Sequence, residues 1–342
     1  MLSPIVSVER QLGLQPGDVV RIRSAEEIAR TLDEDGKLDG LPFMPEMLAY
    51  CGKTMSVFKR ADKTCAGRGK ARRMNDAVHL TGVRCDGSAH GGCQAACLMY
   101  WKEAWLERAR MNGASPVAGA NGPAPVAGSH SGTPAVPPPD QLLLVAATAA
   151  TTKDGDPDED VYQCQATEVL NATRHLPLWE PDQYVQDVRN WGVRKLVRNL
   201  VISGFNRFQD ASRRYLPEPL RIRRGQRYPA LAGRLEKTPK ATLGLQPGDL
   251  VRVKSKEEIL ATLDTHNRNR GLMFDVEMLR YCGKTARVNQ RIERIIDEHT
   301  GKMLEINSDC VTLEGFVCVA DYHRLCTRSV YEYFREIWLE RV

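Results

Sequence analysis

The alternation of apolar and polar residues predicts the same short elements at two places in the chain. Residues 19–23 and 250–254 alternate apolar and basic side chains after a Pro-Gly-Asp turn, which is typical of a half-buried strand. A helix start follows each strand, at Ser24 and at Ser255. Each serine has a glutamate three residues later and therefore fits the capping box, in which the two residues satisfy each other's free backbone amides.

Further short elements complete one copy of this pattern. Residues 46–50 predict a short helix, with Gly52 at its end where a left-handed residue is needed. Strands are predicted at 54–59 and 77–84, and 104–108 is predicted to close the sheet. Several short strands after a Pro-Gly-Asp turn favour a mainly β fold with some α, a small and partly open SH3-like β-barrel with short helices.

The recurrence is a true duplication, with copies at residues 12–108 and 243–341. Three motifs are identical in both copies: LGLQPGD, YCGKT and WLER. The offset between the copies is 231 up to Thr54 and 233 from Cys85 onward, so the second copy has two extra residues in one loop. We refer to the copies as the first repeat and the second repeat.

The pattern predicts four regions along the chain. Residues 1–110 and 241–342 are the Cys-rich β-barrel modules. Residues 111–139 consist largely of Gly, Ala, Pro, Val and Ser, and such a segment cannot bury enough apolar surface to offset its ordering entropy, so we expect a flexible linker. Residues 140–240 form a helical, basic connecting region.

Most of the ten cysteines lie at matching places in the two repeats. The N-terminus lacks the features of a secretory signal, and no stretch approaches the roughly 20 apolar residues of a membrane span, so we expect a cytoplasmic location in which thiols stay reduced. Clustered thiols and imidazoles then favour a metal site. The matched pairs are Cys51 with Cys282, Cys85 with Cys318, His90 with His323, and Cys93 with Cys326.

Two ligand sets fit this pattern, and the spacing leaves both open. The shared set in the first repeat has three cysteines and one histidine, which suits structural zinc. In the other set a fourth thiolate replaces the histidine, from Cys97 in the first repeat and from Cys310 in the second, which suits a [4Fe–4S] cluster. The expected cofactor is therefore zinc or an iron–sulfur cluster.

The first repeat has chemically useful residues that the second lacks, and we expect the functional centre within residues 51–103. Cys65, His79 and Cys97 are the candidate catalytic residues, since a spare thiol becomes nucleophilic or redox-active when a nearby metal or cation lowers its pKa. The leading hypothesis is a metal-binding protein with a catalytic or redox role. Glu103 is a candidate hydrogen-bond partner that orients a metal ligand, whereas Trp105 and its counterpart Trp338 are predicted to pack in the core.

The connecting region carries most of the positive charge. Residues 183–215 have helical periodicity with one apolar stripe, and residues 183–228 contain eleven Lys or Arg against three Asp or Glu. Such a segment is typical of one that binds an anionic membrane surface, nucleic acid or an acidic protein. The alternative is a basic helix face that contacts only solvent. The alternative function is accordingly a zinc-stabilised scaffold without enzymatic activity. Cys164, outside the repeats, is a further candidate ligand or nucleophile.

No nucleotide-binding glycine loop, serine-hydrolase elbow or paired-carboxylate motif occurs, which disfavours the commonest enzyme classes and leaves enzymatic activity open. Residues 40–53 and 85–105 resemble segments of a group of bacterial proteins that have no assigned activity. The resemblance implies neither a substrate nor a cofactor.

Overall fold

Each repeat contains one curled antiparallel sheet of five strands, as seen in a computed structural model that describes residues 12–66, 71–109, 151–152 and 160–342. The architecture mixes strands with short helices, in agreement with the predicted combination of β and α elements. The predicted linker at 111–139 lies outside the described residues.

The first repeat consists of a five-stranded antiparallel sheet and two short hairpins. Its sheet has the order β8-β7-β4-β1-β9, β2 pairs with β3, and β5 pairs with β6. The strands are β1 (Val19–Ile22), β2 (Lys37–Leu38), β3 (Leu41–Pro42), β4 (Thr54–Arg60), β5 (Lys63–Cys65), β6 (Ala71–Arg73), β7 (Ala77–Arg84), β8 (Leu98–Lys102) and β9 (Leu106–Arg108).

The connecting region contributes three two-residue strands and the two longest helices described. Strands β10 (Thr151–Thr152) and β11 (Asp160–Val161) pair with each other, and β12 (Arg174–His175) pairs with β6. Three helices in chain order are α1 (Ala25–Ala29) in the first repeat, then α2 (Asp182–Trp191) and α3 (Val193–Tyr215). Gly192, with φ of +80°, separates α2 from α3, so the predicted single helical segment is two helices.

The second repeat has the same strand order, β20-β19-β16-β13-β21. Its short helix α4 (Lys256–Leu260) corresponds to α1. The strands are β13 (Leu250–Val253), β14 (Arg268–Asn269), β15 (Leu272–Met273), β16 (Thr285–Arg291), β17 (Arg294–Ile296), β18 (Met303–Glu305), β19 (Cys310–Val317), β20 (Tyr331–Arg335) and β21 (Leu339–Arg341).

Local signals in the sequence correctly identify several of these elements. Both capping boxes form, at Ser24 and Ser255. The predicted short helix is a 3-10 helix, Pro45–Tyr50, and Gly52 follows it with φ of +77°. The segment that begins with the 3-10 helix Glu103–Trp105 continues into β9, which pairs with β1 and forms one edge of the sheet.

An aromatic pair forms the centre of each core. Phe43 meets Trp105 edge to face with ring centroids 5.2 Å apart, and Phe274 meets Trp338 at 5.3 Å. Both tryptophans are fully buried, as predicted. Burying two aromatic side chains contributes several kcal/mol, so these pairs are a main source of stability in each repeat.

A buried glutamate between the last two strands of each repeat binds the start of the LGLQPGD segment, which both repeats contain. Glu103 is fully buried and accepts hydrogen bonds from the backbone N–H groups of Leu12, Gly13 and Leu14 and from the Arg60 guanidinium. Glu336 makes the equivalent bonds to residues 243–245 and to Arg291 in the second repeat. The contacts of the Glu103 carboxylate are thus with the backbone of residues 12–14 and with Arg60, and they hold the start of the repeat against its sheet.

The described residues divide into two compact units. One contains the described residues up to Gln186 together with Arg294–Glu305, and the other contains 187–293 and 306–342. The hairpin β17–β18 is thus part of the first unit, although it lies in the second repeat by sequence. None of the helices in the described part of the chain is long and apolar enough to cross a lipid bilayer.

Candidate metal centre

The first donor, Glu46, comes from the short 3-10 helix Pro45–Tyr50. Proline at the first helical position needs no hydrogen-bond partner for its nitrogen and has a helical φ, so it is suited to start the helix. The next residue, Glu46, lies on the buried face with Met47. The Glu46 side chain is 1% exposed, and a carboxylate at such depth requires compensating partners.

The second and third donors lie in the loop that follows β7. The backbone of Gly87, with φ of +72°, approaches Cys93 so closely that a Cβ at position 87 would lie 2.1 Å from the Cys93 carbonyl oxygen. The Gly87 carbonyl accepts hydrogen bonds from the amides of His90 and Gly92. This tight turn points His90 inward, beside Cys85 at the start of the loop.

Glu46, Cys85 and His90 bring one potential ligand atom each to within 4.8 Å of one another. Oε1 of Glu46 lies 2.6 Å from Nδ1 of His90 and 3.7 Å from Sγ of Cys85, and it accepts a hydrogen bond from the Ala89 amide at 3.1 Å. The other carboxylate oxygen, Oε2, is buried and has no hydrogen-bond partner among the described residues. The group offers sulfur, nitrogen and oxygen donors around one point.

The connecting region sets the orientation of the histidine ring. Gln165 is buried and its side chain bonds both the N–H and the C=O of Tyr100 on strand β8, at 2.8 and 2.9 Å. This contact anchors the segment so that the Gln163 carbonyl lies 3.2 Å from Nε2 of His90. A carbonyl oxygen only accepts hydrogen bonds, so Nε2 is the donor in this contact, and Nδ1 faces Glu46.

The environment of Cys85 keeps its thiol protonated in the absence of a cation. Burial raises the pKa of this thiol, and the negative charges of Glu46 and Cys97 raise it further, with a smaller contribution from Cys164. An unassisted nucleophilic thiolate is therefore disfavoured at this position. A bound metal ion would supply the positive charge that stabilises the thiolate.

Cys51 and Cys93 belong to the ligand set predicted from both repeats, and the structure gives each of them other contacts. Cys51 caps the 3-10 helix at its far end, and burial with the charge of Glu26 raises its pKa to about 11. The Cys93 sulfur accepts a hydrogen bond from the Ile296 amide of strand β17 at 3.4 Å. Neither residue is among the three donors that converge.

The candidate catalytic residues occupy three different places. His79 lies within β7 and is fully buried, with Nδ1 2.9 Å from the Met99 carbonyl oxygen. Cys65 ends strand β5, in register with Ala71. Cys97 lies beside the donor group, because its carbonyl accepts the amide hydrogen of Cys85 at 2.9 Å.

Cys164 is buried and lies next to the residue that contacts His90. Burial raises the pKa of its thiol, and the charge of Cys93 also raises it. The suggestion that Cys164 reaches the first repeat is consistent with this placement, although its sulfur is not one of the three converging donors.

The second repeat arranges the equivalent residues differently. Glu277, equivalent to Glu46, accepts a hydrogen bond from the Tyr322 amide at 2.6 Å, but His323 turns to Asp275 with Nε2 2.9 Å from its Oδ1. Glu332 adds a further buried carboxyl group. Burial raises its pKa to about 8, and the charges of Asp275 and Glu277 also raise it.

The cysteines of the second repeat do not join a converging group with their predicted partners among the described residues. Cys282 caps the 3-10 helix Val276–Tyr281, and burial raises its pKa. Cys310 is buried at the start of β19, where burial raises its pKa to about 12. Cys318 donates its amide hydrogen to the Val330 carbonyl, and Cys326 is buried.

Sequence reasoning missed Glu46 and the Gln163 carbonyl. Glu46 carried a usable signal, because it recurs as Glu277 in the alignment of the repeats and precedes the shared Tyr-Cys-Gly-Lys-Thr motif by four residues. Nothing in the sequence marks Gln163, since its contribution is a backbone carbonyl brought in by tertiary packing.

Comparison of the chain with protein-family models, with curated proteins and with solved structures found no match.

Proposed function

We propose that the first repeat binds a single divalent metal ion, zinc by preference, through Cys85, His90 and Glu46, and that the ion stabilises the fold of this repeat. The observation that carries the proposal is the orientation of His90. Histidines that bind metals usually donate the hydrogen of their other ring nitrogen to a carbonyl or carboxylate. The Nε2 contact with Gln163 has this form and leaves Nδ1 for the ion.

The distances fit a site that closes around an ion with little movement. Tetrahedral zinc with ordinary bond lengths separates a sulfur from an oxygen ligand by about 3.6 Å and a nitrogen from an oxygen ligand by about 3.3 Å. The Cys85 sulfur lies 3.7 Å from Oε1 of Glu46. Nδ1 of His90 is 2.6 Å from the same oxygen, a hydrogen-bond distance, so binding requires these two atoms to separate by about 0.7 Å.

The unpartnered Glu46 oxygen supports the same conclusion. A buried acceptor without a partner costs about 1–3 kcal/mol, more when it is charged. An ion bound to the carboxylate removes that cost, because it neutralises the charge that Oε2 shares. The hydrogen bond from Ala89 can persist in the bound state and hold the carboxylate in place.

The donor set favours zinc over an iron–sulfur cluster and a structural role over a catalytic one. A [4Fe–4S] cluster is held by four thiolates, whereas the converging group contains one. The side chains of Glu46 and His90 are each 1% exposed, and structural zinc sites are closed whereas catalytic sites keep an open position. Zinc requires a fourth ligand, and Cys97 and Cys164 are the thiols whose charges act on Cys85.

The experiment is a cobalt titration of the full-length, reduced and chelator-treated protein. We expect one equivalent of Co²⁺ to produce thiolate charge-transfer absorption and the visible bands of tetrahedral cobalt, and one equivalent of Zn²⁺ to displace it. Cys85→Ser should remove the charge-transfer absorption, and Glu46→Gln and His90→Gln should weaken binding by at least about tenfold, as loss of a ligand exceeds the usual effect of losing an outer partner.

Cysteines outside the group of three donors supply the controls for this titration. Cys51→Ser and Cys318→Ser should leave the spectrum and affinity unchanged, and Cys97→Ser and Cys164→Ser identify the fourth ligand by which one alters the charge-transfer absorption. Circular dichroism of each metal-free variant verifies its fold. Absence of cobalt binding, or a spectrum that persists unchanged in Cys85→Ser, would contradict the proposal.

We also propose that the repeats are tandem SH3-like modules. The support is their equal strand order, the equivalent irregularities between β4 and β7 and between β16 and β19, and the equivalent glutamate clamps. Expression of residues 241–342 alone tests this, because a module of this kind should give a cooperative unfolding transition.

A further inference from the structure

The long helix α3 exposes a continuous apolar stripe. Six large apolar side chains on it are each at least 46% exposed: Val193, Val197, Leu200, Val201, Phe208 and Tyr215. With about 100° of rotation per residue, they fall within one sector of roughly 100° along the whole helix. The opposite side is the buried one and includes Leu196, Ile202 and Gln209. The stripe is therefore the outward face of a helix that is already docked.

Basic residues border this stripe on both sides. Arg194 and Arg198 lie along one edge, and Arg207 and Arg214 lie along the other, all exposed. Arg198 also contacts Asp321 at 3.4 Å. The acidic residue within the helix, Asp210, lies away from the stripe and is held by two arginines that lower its pKa, foremost Arg227.

The chain after α3 continues the same combination of residues. Leu220 and Ile222 are 66% and 56% exposed and alternate with arginines at positions 221, 223 and 224. The exposed apolar and basic surface therefore extends beyond the roughly 35 Å length of the helix itself.

We propose that this face of α3 binds the surface of an anionic lipid bilayer, with the helix lying in the plane of the interface. An interfacial helix inserts its apolar side chains among the acyl chains while Lys or Arg at its borders contact acidic headgroups. The face of α3 has both features, an apolar stripe and arginines along its two borders. The proposal is independent of metal binding, because none of these residues belongs to the Glu46, Cys85 and His90 group.

Two other occupants fit the surface less well. Nucleic acid contacts its protein through phosphates, base edges and stacking on aromatic rings. Four of the six stripe residues are valine or leucine, and the two aromatic ones, Phe208 and Tyr215, lie about two helical turns apart, so the centre of the face offers neither charge nor a continuous stacking surface. A second copy of the same face would place the bordering arginines of one helix beside those of the other, with no acidic residue on the stripe to neutralise them.

Vesicle sedimentation with the full-length protein tests the proposal. We expect binding to vesicles of equal parts phosphatidylglycerol and phosphatidylcholine, little binding to phosphatidylcholine alone, and weakening as salt rises. Val197→Glu should abolish binding. Val185→Glu is the matched control, because Val185 is also a helical valine and the two are both 53% exposed.

Double variants at two bordering arginines test whether vesicle binding depends on their positive charge. Arg207→Gln with Arg214→Gln should lower the partition coefficient by on the order of tenfold or more, since each basic residue near an anionic surface contributes about 1 kcal/mol. Arg207→Lys with Arg214→Lys should retain binding. Equal binding of the Val197→Glu and Val185→Glu variants, nucleic-acid binding without vesicle binding, or a dimer that Val197→Glu dissociates would each overturn the proposal.

Discussion

Replacement of Glu103 by glutamine should destabilise the first repeat far more than the same change four residues later. Glu103 is fully buried, and its two oxygens accept hydrogen bonds from three backbone amides and from Arg60. Glutamine keeps the shape but replaces one acceptor with an NH₂ donor, which then faces N–H groups. Removing one partner of a buried ion pair costs about 3–5 kcal/mol.

Arg60 has a second acidic partner, which places the expected loss of unfolding free energy at the lower end of this range. Arg60 also bonds Asp62 at 2.6 Å, so its charge remains partly compensated in the variant. We therefore expect a loss of about 3 kcal/mol in the free energy of unfolding. Glu107→Gln is the control, because Glu107 pairs with Arg21 at 2.6 Å but its side chain is 36% exposed, and such pairs contribute about 0–1 kcal/mol.

Urea denaturation measures the loss, and hydrogen exchange locates it. Peptides covering 12–18 should lose protection in Glu103→Gln, because the substituted carboxylate binds the amides of Leu12, Gly13 and Leu14. Peptides covering 243–249, held by Glu336, serve as the internal reference. A loss equal to that of Glu107→Gln, or unchanged protection at 12–18, would refute the argument.

Two further predictions follow from the loop and from the second repeat. Gly87→Ala should abolish cobalt binding and lower the melting temperature, because the added Cβ would clash with the Cys93 carbonyl oxygen. Gly52 has a similar positive φ, but no atom lies within 4 Å of a Cβ built there, so Gly52→Ala should lower the melting temperature only slightly. Equal effects of the two variants would contradict this reasoning. Burial raises the pKa of Glu332 from 4.5 to about 8, so the folded state holds a proton that the unfolded state releases, and stability should fall as pH rises from about 4.5 to 8. Chemical denaturation across this range should show a smaller fall in Glu332→Gln, and identical profiles for both proteins would show that Glu332 ionises normally.

The elements that were predictable from sequence are those fixed by near neighbours. Ser24 and Glu27 satisfy each other within one turn, and Gly52 adopts the left-handed conformation that ends a helix. The helix break was harder to predict, because the apolar periodicity runs through Gly192 without a proline. Strand β8 was not predicted from the sequence, since its five residues are all buried and show no alternation of apolar and polar side chains.

The site was predictable only in part, because its donors come from two segments that are far apart in the sequence, and a third segment supplies the carbonyl that contacts His90. Cys85 and His90 lie in one loop and were identified from their spacing. Cys51 was assigned to the same site because both repeats contain it, but it lies at the opposite end of the short helix from Glu46. Spacing along the chain does not reveal which end of the helix Pro45–Tyr50 faces the loop that starts at Cys85.

Shared ligand residues in the two repeats do not imply shared sites, because the positions around them determine the chemistry. Where the first repeat has the buried thioethers Met44 and Met99, the second has the carboxyl groups of Asp275 and Glu332. Asp275 takes the His323 imidazole as its own partner, and burial raises the pKa of Glu332, which the charges of Asp275 and Glu277 raise further. In the first repeat His90 and Cys85 contact Glu46 instead, and a divalent cation bound among the three would compensate the charge of the carboxylate and of a thiolate together, which a single proton does not do.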